Sequence, residues 1–132
     1  MAKTALVTGA SSGIGREIAR DLSARGFRVI LSARREERLR ELAEELGDNT
    51  RVIVCDVSDR EECLRLYEET KSEKISVLVN CAGFGAVGSF DKLPLDTELK
   101  MIDTNVTAVH MLTKLFLKDF VAADRGYIMN IA

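Results

Sequence analysis

The strongest constraint on the fold is an alternation that runs the length of the chain. Short, continuously apolar runs are separated by longer amphipathic ones. Thr4-Ala5-Leu6-Val7-Thr8, Arg28 to Ser32, Arg51 to Cys55, Ser76 to Asn80 and Gly126 to Ile131 read as strands buried on both faces. Between them apolar residues recur at helical spacing: Ile14, Ile18 and Leu22, then Leu39, Leu42, Ala43 and Leu46, then Cys63, Leu66 and Tyr67. Gly26 and Gly47 stand where the first two helices should stop. Ser58 with Glu61 three residues on fits a capping box, with Ser58 as N-cap of the third helix. The fourth helical stretch, residues 96–120, carries Leu99, Ile102, Val106, Val109, Thr113, Phe116 and Phe120 on one face. Met101, Ala108, Met111, Leu112 and Leu115 form a second apolar stripe, and a helix apolar on two faces is usually covered twice.

Strand and helix in strict alternation imply parallel strands joined by right-handed crossovers. The expected architecture is α/β: a doubly wound parallel sheet with five strands in the order 3-2-1-4-5. The 132 residues amount to one domain, 1–132. The fifth strand is the last element, and a parallel sheet needs cover on both faces. The chain therefore reads as the N-terminal part of a longer single-domain fold, truncated after its fifth strand.

The charge balance excludes several function classes. Lys plus Arg is 19 and Asp plus Glu is 21, a net charge of −2, which argues against a nucleic-acid or anionic-membrane partner. No apolar stretch approaches the roughly 20 residues of a membrane helix. Cys55, Cys63 and Cys81 are odd in number and widely spaced, and His110 is the only histidine. No metal site is expected. Reduced, buried thiols in a cytoplasmic protein are the expectation.

The chemistry lies in the turn after the first strand. In Gly9-Ala10-Ser11-Ser12-Gly13-Ile14-Gly15, Gly9 permits a tight turn, Gly13 removes a side chain where a pyrophosphate would approach, and Gly15 lets helix and strand pack closely. The helix that opens there offers free N–H groups and partial positive charge to an anion, and Ser11 and Ser12 add hydroxyl donors. Without Gly-Lys-Ser or Gly-Lys-Thr the loop is not that of a P-loop triphosphatase. The second strand ends Leu31-Ser32-Ala33-Arg34-Arg35, with no acid before Glu36. An acid there would hold a ribose 2′-hydroxyl, and an Arg accommodates a 2′-phosphate. Two cations at a helix start oppose the macrodipole, which suggests that Arg34 serves a ligand.

Thr8-Gly9-Ala10-Ser11-Ser12-Gly13-Ile14-Gly15 resembles the nucleotide-binding signature of the short-chain dehydrogenase/reductase family. Asn80-Cys81-Ala82-Gly83 is similar to that family's N-N-A-G, with Cys81 in place of the second Asn. Asp56-Val57 matches its adenine-contacting pair, Asn105-Val106 its catalytic Asn position, and Asn130-Ile131-Ala132 the lead-in to its catalytic Ser. The resemblance runs from residue 3 to the last residue. It implies a nicotinamide cofactor, NADP with NAD as the alternative, and hydride transfer to or from a small carbonyl or alcohol substrate. It further implies cofactor contacts at Gly9, Ser11, Ser12, Gly13, Ile14, Gly15, Arg34, Asp56, Val57, Asn80, Ala82 and Gly83, and a homo-oligomer through helix 96–120. Asn105 would bend its helix and hold a water of the proton relay with its backbone carbonyl.

The family's Ser, Tyr and Lys would lie beyond Ala132, so the 132 residues alone are expected to be inactive. Tyr67-Glu68-Glu69-Thr70-Lys71 reproduces the Y-x-x-x-K spacing, but Tyr67 lies about 10 Å down its helix from the cofactor edge. Two other readings stay open: a Rossmann module that binds a nucleotide without turnover, and another Rossmann-type enzyme such as a methyltransferase.

Overall fold

The computed structural model describes residues 3–132; Met1 and Ala2, which the domain reading includes, lie outside the described residues. Five parallel strands form one sheet in the order β3-β2-β1-β4-β5, as expected. They are β1 Thr4–Thr8, β2 Arg28–Ala33, β3 Thr50–Val54, β4 Ile75–Asn80 and β5 Tyr127–Asn130. The helices are α1 Gly13–Ala24, α2 Glu36–Leu46, α3 Arg60–Thr70, α4 Leu95–Ile102 and α5 Ala108–Ala123.

The strand alternation sorts side chains into two cores. Leu6, Ile30, Ile53 and Leu78 face α3 and α5, where they meet Cys63, Leu66, Leu112 and Phe116. Ala5, Val7, Val29, Leu31, Val77 and Val79 face the other way, onto Ala19 of α1 and Leu39 and Leu42 of α2. Burial of β1 on both faces is complete enough that no residue in Thr4–Thr8 exceeds 7% exposure. Such a strand lacks the in–out alternation of polar residues, which is why its sequence reads as a continuous apolar run.

Four expectations need correction. The α1 face toward the sheet is Gly15 and Ala19, flanked by Ile18 and Leu22, whereas Ile14 is 59% exposed. Its apolar side chain sits in the first turn, beyond the end of β1, where there is no sheet to cover it. The N-cap of α3 is Asp59, not Ser58: the Asp59 carboxylate accepts from the Glu61 N–H at 2.9 Å. Ser58 is drawn off by Asp56, to which its N–H and hydroxyl both donate. Cys81, expected buried with the other thiols, is only half-buried. Burial pushes the Cys55 thiol up to about 12 and that of Cys63 to about 11, so both are inert at neutral pH.

The largest correction concerns residues 96–120. They do not form one regular helix: α4 and α5 are separated by a π-helical turn, Asp103–Thr107. The Ala108 N–H reaches back five residues to the Asp103 carbonyl, and the Thr104 hydroxyl donates to the Lys100 carbonyl at 2.8 Å. An extra residue in the turn rotates everything beyond it by about 100° relative to a regular helix. The face read as continuous is therefore split. Phe116 and Phe120 join Ala108 and Leu112 in the core, while Leu99, Ile102 and Val106 are left about half or more exposed.

Candidate functional site

At the C-terminal edge of the sheet the strands splay into a cleft of about 650 Å³. This is the edge where a doubly wound sheet opens between strands whose connections leave in opposite directions, here β1 and β4. Gly9, Ser11, Ser12, Ile14 and Gly15 form one wall and Ala33, Arg34 and Arg35 a second. Asp56 and Val57 line the third, and Cys81 to Phe84 with Thr104 and Asn105 close it.

The glycine turn is built by two close approaches. Gly9 has φ +64°, and a Cβ there would meet the Ala82 amide nitrogen at 2.7 Å. A Cβ on Gly15 would lie 2.2 Å from the Gly9 carbonyl oxygen. The turn thus folds directly onto the loop after β4. Thr8 completes the join: its hydroxyl donates to the Val79 carbonyl at 3.3 Å and accepts from the amides of Cys81 and Ala82. α1 starts without a side-chain cap and without an acid in its first turn. Its first N–H groups and the positive end of its dipole are left for an anion. Gly13 stands just off the cleft wall, with open space beyond its Cα.

Arg34 is exposed at the end of β2 and, among the described residues, forms no ion pair. Arg35 is the N-cap residue of α2, which begins with Glu36 and Glu37. Across the cleft, Asp56 Oδ1 accepts from the Ser58 N–H at 3.0 Å and hydroxyl at 2.7 Å, and Oδ2 lies 3.8 Å from Lys100 Nζ. Burial alone would raise the Asp56 carboxyl. The Ser58 bonds, with the Lys100 and Arg34 charges, outweigh it and hold the carboxyl below its ordinary value.

Asn105 sits in the π-helical turn and clasps the loop after β4. Its Oδ1 accepts from the Phe84 N–H at 3.0 Å and its Nδ2 donates to the Phe84 carbonyl at 2.8 Å. Asn80 lies behind the cleft, 3% exposed, with Nδ2 donating to Thr113 Oγ1 and Asn130 Oδ1. Its side chain ties β4 to α5 and β5 rather than facing the cleft. Phe84 and Thr104 line the cleft without any signal in the sequence, whereas Thr8 heads the glycine signature as a hydroxyl residue ending a strand.

Tyr67 and Lys71, which share the Y-x-x-x-K spacing, lie elsewhere. Tyr67 donates to Asp119 Oδ2 at 2.7 Å, and this bond to a carboxylate, with burial, pushes its phenol up to about 12. Lys71 is ion-paired with Glu68. Neither Tyr67 nor Tyr127 lines the cleft.

The family model for short chain dehydrogenase matches residues 3–132. The chain belongs to that family. It is 37% identical over 136 residues to an uncharacterized oxidoreductase of Staphylococcus saprophyticus, covering 98% of this chain and 58% of that protein. It is 37% identical over 130 residues to a 3-oxoacyl-(acyl-carrier-protein) reductase of Rickettsia prowazekii, covering 98% of this chain and 53% of that one. A metagenomic short-chain oxidoreductase solved in complex with NADP superposes with a TM-score of 0.93 at 34% identity, over 98% of this chain and 62% of its own. The chain spans about half the length of the curated relatives it matches.

Proposed function

We propose that the cleft binds NADP(H), with NAD(H) as the alternative, and that the chain is the cofactor-binding part of an oxidoreductase acting on a small carbonyl or alcohol. One observation carries the reading: an uncapped helix N-terminus and Arg34, which forms no ion pair among the described residues, line the same cleft. The donor set fits a dinucleotide phosphate. The α1 N–H groups with Ser11 and Ser12 would hold the pyrophosphate over Gly9, Gly13, Ile14 and Gly15. Arg34 would neutralise the 2′-phosphate, and Asp56 and Val57 would receive the adenine. Ala82 and Gly83 leave room for the ribose beside β4, and Asn80 supports that loop from behind.

When bound, the nicotinamide supplies or accepts a hydride. This chain's residues bind, orient and enclose it. Asn105, by clasping Phe84, holds the loop that borders the cleft in one position, and its backbone carbonyl would hold a water of the proton relay. A proton donor for the substrate oxygen would come from the Ser, Tyr and Lys that the family carries, since neither tyrosine of this chain faces the cleft. Leu99, Ile102, Val106, Leu117 and Val121 leave an exposed apolar face along α4 and α5, suited to a second copy of the chain. Among the described residues no helix is long and apolar enough to cross a membrane, and two deeply buried free thiols favour a reducing cytoplasm.

Isothermal calorimetry with NADPH and NADH tests the proposal. Saturable binding of NADPH, tighter than NADH, is expected; no heat with either nucleotide refutes it.

A further inference from the structure

A second cavity, of about 320 Å³, opens at the edge of the sheet opposite the cleft, where β4 and β5 begin. Ile75, Phe116 and Phe120 form its floor, and Lys71, Lys74 and Arg125 stand around its mouth with Asp119. The floor is tightly packed. Phe116 meets the Tyr67 ring edge-on at 5.1 Å and the Phe120 ring at 6.4 Å. A Cβ on Gly126 would lie 2.3 Å from the Phe120 ring, so only glycine leaves that ring its place. The mouth is shaped by two turns. Arg125 follows α5 with its N–H on the Phe120 carbonyl at 3.0 Å. Lys74 leads into β4 in the left-handed conformation, with φ +53°, which strains an L-residue and which glycine adopts freely. A lysine held where glycine would be unstrained is a sign that its side chain is used.

The charges at the mouth do not cancel. Lys71 is paired with Glu68 at 2.6 Å, and Asp119 accepts from the Tyr67 hydroxyl at 2.7 Å. Glu73, beside Lys74 in sequence, is committed to Arg28 and Arg51, and Asp124, the C-cap of α5, does not line the cavity. Lys74 and Arg125 form no ion pair among the described residues. With Asp119 set against these two cations, one positive charge is left beside an apolar floor. At the end of α5 the carbonyls of Phe120 and Val121 are taken by the N–H groups of Arg125 and Asp124, so neither is a bare acceptor that would repel an anion. We propose that this cavity binds a small carboxylate with an aromatic or branched apolar body. The carboxylate lies between Lys74 and Arg125, and the apolar body rests on Ile75, Phe116 and Phe120. A monoanion matches the residual charge, whereas a phosphate dianion exceeds it. The volume falls at the lower end of the range of about 300–1,000 Å³ for small-molecule sites. It is about half that of the cleft, too little for a dinucleotide.

The experiment titrates the amide-labelled protein with phenylacetate, acetate and benzyl alcohol, followed by nuclear magnetic resonance. Phenylacetate should shift the amides of Lys74, Ile75 and Arg125 saturably. Acetate lacks the ring and benzyl alcohol the charge, and each should bind about tenfold more weakly or less. Lys74→Gly removes the ammonium and relieves the left-handed strain, so the fold is kept, with circular dichroism as the check. It should weaken phenylacetate by about three- to fivefold while its NADPH titration stays as in wild type. Phenylacetate that gives no saturable shift at these amides, acetate that binds as well as phenylacetate, or a Lys74→Gly protein that keeps the wild-type affinity overturns the proposal. None of these results bears on the nucleotide cleft, which lies at the other edge of the sheet.

Discussion

Replacement of Arg34 by Ala separates the 2′-phosphate from the rest of the nucleotide. Arg34 is exposed and makes no ion pair among the described residues, so its loss should leave the fold nearly unchanged. A charge-assisted bond to a phosphate contributes about 1.5–3 kcal/mol. At about 1.4 kcal/mol per tenfold, the affinity for NADPH should fall by roughly 10- to 150-fold. Arg35 lines the same wall and carries a charge of its own, so the lower part of that range is expected. NADH lacks the phosphate and should bind within about twofold of its wild-type affinity. A smaller effect follows at Asp56, whose carboxyl the Arg34 charge helps keep ionised. The assay is calorimetry with both nucleotides at two salt concentrations, because the lost interaction is electrostatic and the wild-type preference should shrink as salt rises. Equal weakening of NADPH and NADH would refute the assignment of Arg34 to the phosphate.

Other perturbations probe the scaffold around the cleft. Gly15→Ala places a Cβ 2.2 Å from the Gly9 carbonyl oxygen, and a forced shift of that backbone should cost about 1–3 kcal/mol, seen as a lowered denaturation midpoint. A midpoint equal to wild type would show that the turn yields freely. Asn105→Ala removes both bonds to Phe84, each worth about 0.5–1.5 kcal/mol, and should speed amide exchange at Phe84 while β1 amides stay protected. In a Tyr127→Phe background, the remaining phenol should ionise near 12 by ultraviolet absorbance. The folded value lies above the unfolded one of about 10, so the stabilisation from Tyr67 is complete below pH ~10 and is lost as the pH rises through the folded value. A midpoint near 10 would mean that the bond to Asp119 is absent in solution.

Strand order and the glycine turn were legible because both rest on local pattern. A strand buried on both faces must be apolar throughout, and a turn that folds onto backbone must be glycine where Gly9 and Gly15 stand. The errors arose where geometry beyond the local period decides. Ile14 keeps helical spacing with Ile18 and Leu22, but the sheet ends before it, so it faces the cleft mouth. Ser58 and Asp59 can each cap a helix, and the choice was made by Asp56, a neighbour outside the capping motif. The π-helical turn changes the face of every residue after it, and a period of 3.6 has no means of registering one extra residue. Asn80 enters the cofactor contacts through its place in the N-N-A-G-like run, and the bonds of its side chain to Thr113 and Asn130 are long-range ones that a motif does not show. Lys100 reaches Asp56 across 44 positions of sequence, a contact that only the folded sheet creates.

The central claim is that a dinucleotide phosphate seats on the N-terminus of α1 with its 2′-phosphate at Arg34. The most direct measurement is a nuclear magnetic resonance titration of the amide-labelled protein with NADPH. Saturable shifts are predicted for the amides of Ser12, Gly13, Ile14 and Gly15 and for those of Arg34 and Arg35. Lys74 and Arg125, at the opposite edge of the sheet, should not move. NADPH that leaves the first turn of α1 unshifted, or that shifts Lys74 and Arg125 instead, would contradict the account.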